Sequence, residues 1–151
     1  MSVLNEVFGG ARQFRATLRD ALKTYRQQSR KSFSDLDISC GLTGDTGWER
    51  LEETPSLITA ALFQRISHIL GIALDQYVDK KQILERRAVI TADRHQFDAR
   101  VVATQGFDPN EIQYEELKPE ERNTFDVGYA LLAALEDLEM IDNGELEDEL
   151  A

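Results

Sequence analysis

The strongest constraint on the fold of this chain is a helical period near its N-terminus. Arg12, Arg15, Arg19, Lys23, Arg26 and Arg30 recur in steps of three and four residues. At roughly 100° per residue this confines them to a stripe about 80° wide on one helix. Phe14, Leu18, Leu22 and Tyr25 fall on a different side of the same helix. The segment from Ala11 to about Ser29 is therefore predicted to be amphipathic, with its apolar side turned to a core and its cations in a row. That row has three readings: a solvated helix face, a set of phosphate contacts along a nucleic-acid backbone, or a dock for an acidic protein surface. The acidic surface includes the chain's own C-terminal segment.

Charge is distributed unevenly. The 151 residues carry 17 basic and 28 acidic side chains, a formal net charge of -11. Residues 1–31 hold seven basic and two acidic groups, whereas residues 125–151 hold nine acidic and no basic ones. The average excludes a general-purpose nucleic-acid coat, because phosphates repel it, but the basic end escapes that exclusion. With 42% hydrophobic residues the chain has enough apolar surface for a core,. Cys40 is the sole cysteine, which precludes an intramolecular disulfide and points to a small core residue,. The apolar run from Tyr129 to Leu135 is far shorter than the roughly 20 residues of a membrane span. No secretory-signal pattern is present, so the expected location is cytoplasmic and no membrane partner is expected.

Punctuation along the chain predicts an all-α fold. Gly9-Gly10 separates a short piece, with Val3, Leu4, Val7 and Phe8 as packing residues, from the basic helix,. Ser32 reads as the N-cap of a short helix through Ile38. Asp45 or Thr46 is expected to cap a helix carrying Trp48, a core anchor, and Leu51. Thr54-Pro55 reads as a cap and first-turn proline opening a helix that runs to Gly71. A last short helix is expected from Leu74 to Lys81. Residues 83–104 read as helix, with Ile90, Phe97 and Val101 in register. The alternative pairs residues 88–91 with 100–103 as a hairpin. Asp108-Pro109 opens a helix over 111–117. Lys118-Pro119 opens a longer one through Phe125, Tyr129, Leu132, Leu135, Leu138 and Ile141, ending near Asn143-Gly144. Residues 127–135 are apolar on nearly every side, which places this helix in a core or an oligomer interface. Residues 1–81 thus form one expected domain, residues 82–144 a helical segment with a dimerisation role, and residues 145–151 an acidic tail.

The helices from Ala11 to Lys81 resemble the Cro-type (XRE-like) helix-turn-helix domain of bacterial and phage regulators. The resemblance rests on Leu18 and Leu22, Leu36 and Gly41, the run Trp48-Glu49-Arg50-Leu51-Glu52, Pro55-Ser56, and Leu70-Gly71-Ile72 with Leu74 and Tyr77. It covers about half the chain, and no family resemblance extends over residues 82–151. It implies a five-helix domain whose third helix enters the major groove. Thr43, Thr46 and Arg50 would then touch the bases, and Arg12, Arg15, Arg19 and Lys23 the phosphates. The sequence departs from the pattern at Asp37, where the family carries a small alanine, in a longer Gly41–Trp48 segment, in a missing loop glycine and in an early Pro55 that suggests a lengthened fourth helix. Asp45 and Glu49 also oppose a phosphate-lined groove.

Two functions from different classes follow. One is a small bacterial or phage-type regulator that binds DNA, dimerising through Tyr129, Leu132, Leu135 and Leu138. The other is a non-enzymatic acidic adaptor or inhibitor, of DNA-mimic, anti-defence or immunity type, that binds a basic protein partner. An enzyme is not expected: no phosphate loop, nucleophile elbow or paired-cysteine motif occurs. His68 reads as a helix-face residue. His95 near Asp93 and Asp98 has no spacing that fixes a metal geometry, so no catalytic residue, metal or cofactor is assigned.

Overall fold

The structure is a computed structural model that describes residues 2–71, 74–93 and 114–147. Among these residues the chain is all-α. Helix α1 (Val3–Phe8) begins where the Ser2 hydroxyl accepts the Asn5 N–H at 3.2 Å, and it buries Val3, Leu4, Val7 and Phe8. Gly9 at φ 80° ends it in the left-handed region, which a glycine enters without steric cost,. Helix α2 (Ala11–Ser29) is the predicted amphipathic helix, burying Phe14, Leu18, Leu22 and Tyr25 together with Ala11 and Ala21.

Helix α3 (Phe33–Cys40) opens on the Ser32 hydroxyl, which accepts the Asp35 N–H at 3.1 Å. It closes on Gly41 at φ 65°, with the Leu42 N–H returning 2.9 Å to the Asp37 carbonyl. This bond and that of the Gly41 N–H to the Ile38 carbonyl at 3.4 Å satisfy carbonyls that would otherwise lack partners,. A short 3-10 turn at Gly44–Thr46 leads into helix α4 (Trp48–Glu53).

The expected long helix from Pro55 to Gly71 is instead divided. Pro55–Leu57 forms one 3-10 turn, Ile58 and Thr59 are extended, and helix α5 (Ala60–Leu70) starts where the Thr59 hydroxyl accepts the Leu62 N–H at 3.1 Å. Extending the backbone at Ile58 buries that side chain completely. The proline signal therefore starts a turn, and the threonine two residues before Ala61 starts the helix. The expected helix from Leu74 to Lys81 also divides: Leu74–Tyr77 is a 3-10 turn, and Asp79 caps helix α6 (Lys80–Leu84) through the Lys81 N–H at 3.2 Å. Helix α7 (Arg87–Asp93) includes residues 88–91, so the hairpin alternative fails on that strand. Its other half, 100–103, and the helical register at Phe97 and Val101 lie outside the described residues. Of the expected 111–117 helix, the described part is a 3-10 turn at Tyr114–Glu116.

Helix α8 (Pro119–Asp142) spans the predicted range and begins with the Glu121 carboxylate accepting the Lys118 N–H at 2.8 Å. Its end is a glycine-terminated motif: Gly144 has φ 75°, and the Gly144 and Glu145 N–H groups reach the Ile141 and Met140 carbonyls at 3.1 and 2.8 Å,. The helix packs on α1, α5, α6 and α7. Buried residues from Val3 through Leu138 form one contiguous apolar cluster, with Trp48, Tyr129, Phe14 and Phe125 among its largest members. The expected boundary at residue 81 is thus not a division of the core. Helix α8 covers α1, a surface that the first 81 residues by themselves would leave to water.

Candidate nucleic-acid interface

The cation row on α2 faces the segment that links α4 to α5, and its members differ sharply in what they touch. The Arg15 guanidinium donates to the Ile58 carbonyl at 2.6 Å and pairs with Asp142 at 2.7 Å. The Asp142 carboxylate also accepts the Ala60 N–H at 3.0 Å. One carboxylate at the end of α8 therefore joins α2 to the start of α5. The N-terminal end of α5 favours that negative charge, because its first N–H groups lack helical partners. Asp142 is thus one contact by which the acidic C-terminal segment folds back on the basic helix.

Arg19 pairs with Asp20 at 2.6 Å and donates to the Glu52 carbonyl at 3.3 Å, in the last turn of α4, where the helix dipole is negative,. Arg26 holds the Glu52 carboxylate in a two-pronged pair at 2.6 and 2.9 Å and lies 4.6 Å from the Phe33 ring centre. The hydrogen bonds that Arg26 donates to Glu52 raise its pKa above the ordinary value, even though burial opposes it. Each charged hydrogen bond of this kind contributes about 1.5–3 kcal/mol. Arg15, Arg19 and Arg26 therefore tie helices together. Arg12, Lys23 and Arg30 are exposed. Arg12 lines an open groove of about 540 Å³ with Gln13, Arg15, Ala16 and residues 53–56.

The start of α4 is organised by Asp37. Its carboxylate accepts the Trp48 N–H at 2.7 Å, a cap supplied from α3 across eleven residues. Neither Asp45 nor Thr46, the expected caps, has this role; the Thr46 hydroxyl donates to the Thr43 carbonyl at 2.9 Å. Gly47 makes room for the cap, because a Cβ there would stand 3.2 Å from an Asp37 oxygen. The carboxylate that stands where the resemblance expects a small alanine is half-buried and partnered, and such caps contribute about 1 kcal/mol,. Trp48 is fully buried as a core anchor, its ring 6.2 Å from that of Tyr25, while its indole N–H has no hydrogen-bond partner among the described residues.

Thr43, Thr46 and Arg50 are exposed at the positions the resemblance would put in a groove. Around them stand exposed Asp35, Asp45, Glu49 and Glu53, with Arg50 3.9 Å from Glu53. Four carboxylates and the Arg50 guanidinium are thus exposed on α3, the turn and α4, with the exposed cations Lys31 and Arg65 close enough to α3 to act on Cys40.

The residues assigned to a dimer surface lie elsewhere. Tyr129, Leu135 and Leu138 are buried in the chain's own core and Leu132 is half-buried against it. Their apolar character is accounted for by packing against the chain itself, which corrects the dimer assignment. His68 is exposed on α5, whereas His95 and Asp98 lie outside the described residues. Cys40 is buried, and desolvation pushes its thiol pKa above the ordinary value.

The residues that sequence reasoning missed are Asp142, Glu52 and Asp37 as partners. Asp142 stands 127 positions from Arg15 and Glu52 stands 26 from Arg26, separations at which no local pattern signals a contact. Compared with protein-family models, with curated proteins and with solved structures, the chain matches none of them.

Proposed function

We propose that this protein is a non-enzymatic adaptor or inhibitor that binds a basic protein partner through a helix-turn-helix-like scaffold. The observation that carries the reading is the fate of the cation row. Arg15, Arg19 and Arg26 are engaged with Asp142, Ile58, Asp20 and Glu52 inside the molecule, while the exposed α3–α4 corner carries Asp35, Asp45, Glu49 and Glu53. A duplex approaching that corner would meet carboxylates where phosphate binding needs cations. Recruiting Arg15 to a phosphate would first break its two internal bonds. A partner rich in Lys and Arg meets a complementary field and associates faster for it.

DNA binding is the competing reading, with Arg12, Lys23, Thr43, Thr46 and Arg50 as its remaining exposed contacts. Fluorescence anisotropy with random-sequence and genomic duplexes at about 50 mM salt, where cation contacts are strongest, separates the two. The proposal expects no saturable duplex binding. It also expects capture from the source cell to yield a protein that survives nuclease treatment and is released by salt. Submicromolar duplex binding that weakens in Arg12→Ala and Lys23→Ala would overturn it.

A further inference from the structure

We infer that the junction of α2 with the start of α5 is an oxyanion-binding site whose resident ligand is the chain's own Asp142, and that the last turn of α8 is the strap that holds it shut. The inference concerns a different surface from the basic-partner reading above and stands independently of it. Its starting point is a carboxylate gripped by both of its oxygens. One accepts the Arg15 guanidinium at 2.7 Å, and the other accepts the Ala60 N–H at 3.0 Å. The two donors belong to different helices and converge on one anion, as donors do around a bound phosphate or carboxylate.

Other groups hold this cradle in shape. The Arg15 side chain is only 15% exposed, and the Ile58 carbonyl accepts a second of its N–H groups at 2.6 Å. The Thr59 hydroxyl fixes the start of α5 by accepting the Leu62 N–H at 3.1 Å, which leaves the Ala60 N–H to another acceptor. From Arg15 an open groove of about 540 Å³ continues past Arg12, Gln13 and residues 54–56. The Arg12 guanidinium and the Thr54 and Ser56 hydroxyls have no hydrogen-bond partner among the described residues. Charge balance in the groove turns on Asp142. The lining holds Arg12 and Arg15 against Glu53, and Arg50 stands 3.9 Å from Glu53. Arg19, the next cation of the row, is held by Asp20 and the Glu52 carbonyl. With Asp142 in place two guanidiniums of the groove face two carboxylates; with it withdrawn, one positive charge is in surplus beside a free N–H of α5. A ligand oxyanion restores that balance and gains Arg12 as a further contact.

The strap opens without unpacking the core. The buried residues of α8 end at Leu138; beyond it Glu139 and Met140 are exposed and Ile141 is half-buried. The bonds that close the helix run from Asn143, Gly144, Glu145 and Leu146 back to residues 139–141, so they tie this segment to itself. Among the described residues, its polar hold on other helices is the Asp142 carboxylate. Glu139 and Glu145 are exposed at the same end of α8 and oppose an incoming anion while the turn is closed. The closed strap therefore lowers the apparent affinity for a ligand by the fraction of molecules in which it is open.

The test follows amide shifts of the isotopically labelled full chain as sodium phosphate or sodium acetate is added, with chloride holding the ionic strength constant. The parent is expected to bind phosphate weakly. Asp142→Asn keeps an acceptor for Ala60 and removes the competing charge. It is expected to bind phosphate about ten-fold more tightly, moving the amides of Gln13, Ser56 and Ala60. Adding Arg12→Ala should remove most of that gain. Equal affinity in the parent and Asp142→Asn, shifts that leave Ala60 in place, or a gain that survives Arg12→Ala overturns the inference. Should Asp142→Asn fail to fold, Ile141→Ser loosens the same turn with the carboxylate intact. It is expected to tighten phosphate about three-fold, and an unchanged affinity overturns the strap. Tighter binding of phosphate than of acetate assigns a phosphate-bearing ligand to the site, and the reverse order a carboxylate-bearing one. Binding of neither probe to any variant overturns the site.

Discussion

Replacing Asp142 should destabilise the protein through two elements at once. Its carboxylate accepts Arg15 at 2.7 Å and the Ala60 N–H at 3.0 Å, and the Arg15 and Asp142 side chains are only 15% and 16% exposed. Asp142→Ala leaves the Thr59 cap of α5 in place but removes the acceptor of the Ala60 N–H, a contact worth about 1 kcal/mol,. It also removes a charge-assisted hydrogen bond worth about 1.5–3 kcal/mol, leaving the guanidinium its bond to the Ile58 carbonyl,. The expected loss is about 2–4 kcal/mol. Asp142→Asn keeps an acceptor for Ala60 and gives up the charge, so its loss should be about half as large. Urea unfolding at constant m-value measures each change. A double-mutant cycle with Arg15→Ala should return a coupling of about 1–2 kcal/mol, with little dependence on salt because the pair is mostly removed from water. Strict additivity, or an Asp142→Ala loss below about 0.5 kcal/mol, would refute this account of the joint. The outcome also bears on how binding experiments are read: weakened DNA binding in an Arg15 variant would reflect damage to the fold as much as a lost phosphate contact. Arg12 and Lys23 are the cleaner probes.

Leu138→Ala should cost about 2–5 kcal/mol, because the residue is fully buried among the chain's own helices,. The midpoint of thermal unfolding should stay independent of protein concentration for both forms, and a midpoint that rises with concentration would restore α8 as an oligomer interface. Cys40 should react slowly with iodoacetamide at pH 8, since burial raises its pKa above the ordinary thiol value and the thiolate is the nucleophile,. The stabilisation from keeping this thiol neutral is complete below its unfolded pKa and is lost as pH rises through the higher folded value. A Cys40→Ala variant should therefore lose less stability than the parent above pH 9. Alkylation as fast as in urea-unfolded protein would show the thiol to be accessible.

Much of the helical framework was legible because its signals are local. Ser32 caps α3, Gly41 ends it, and Lys118-Pro119 opens α8, since each of these devices acts within a few residues of backbone. The apolar registers of α2 and α8 likewise placed Phe14, Leu18, Leu22, Tyr129 and Leu138 correctly on buried faces. Local signals misled where a tertiary contact competed with them. Pro55 is a sound first-turn residue, yet burying Ile58 and capping with Thr59 shifted the start of α5. Asp45 and Thr46 are sound caps, yet Asp37 reaches the Trp48 N–H from another helix.

The candidate interface divides along the same line. From the sequence alone come the all-α class, most of the breaks between helices, and the alignment of six cations along one side of α2. Helical periodicity sets the angle of each side chain about its own axis, and that angle depends only on residue number. Which surface lies opposite that angle depends on how α2, α4, α5 and α8 pack, and no periodicity encodes it. The tertiary structure therefore decided that Arg15, Arg19 and Arg26 face Asp142, Ile58 and Glu52. It likewise decided that the apolar run of α8 completes the chain's own core.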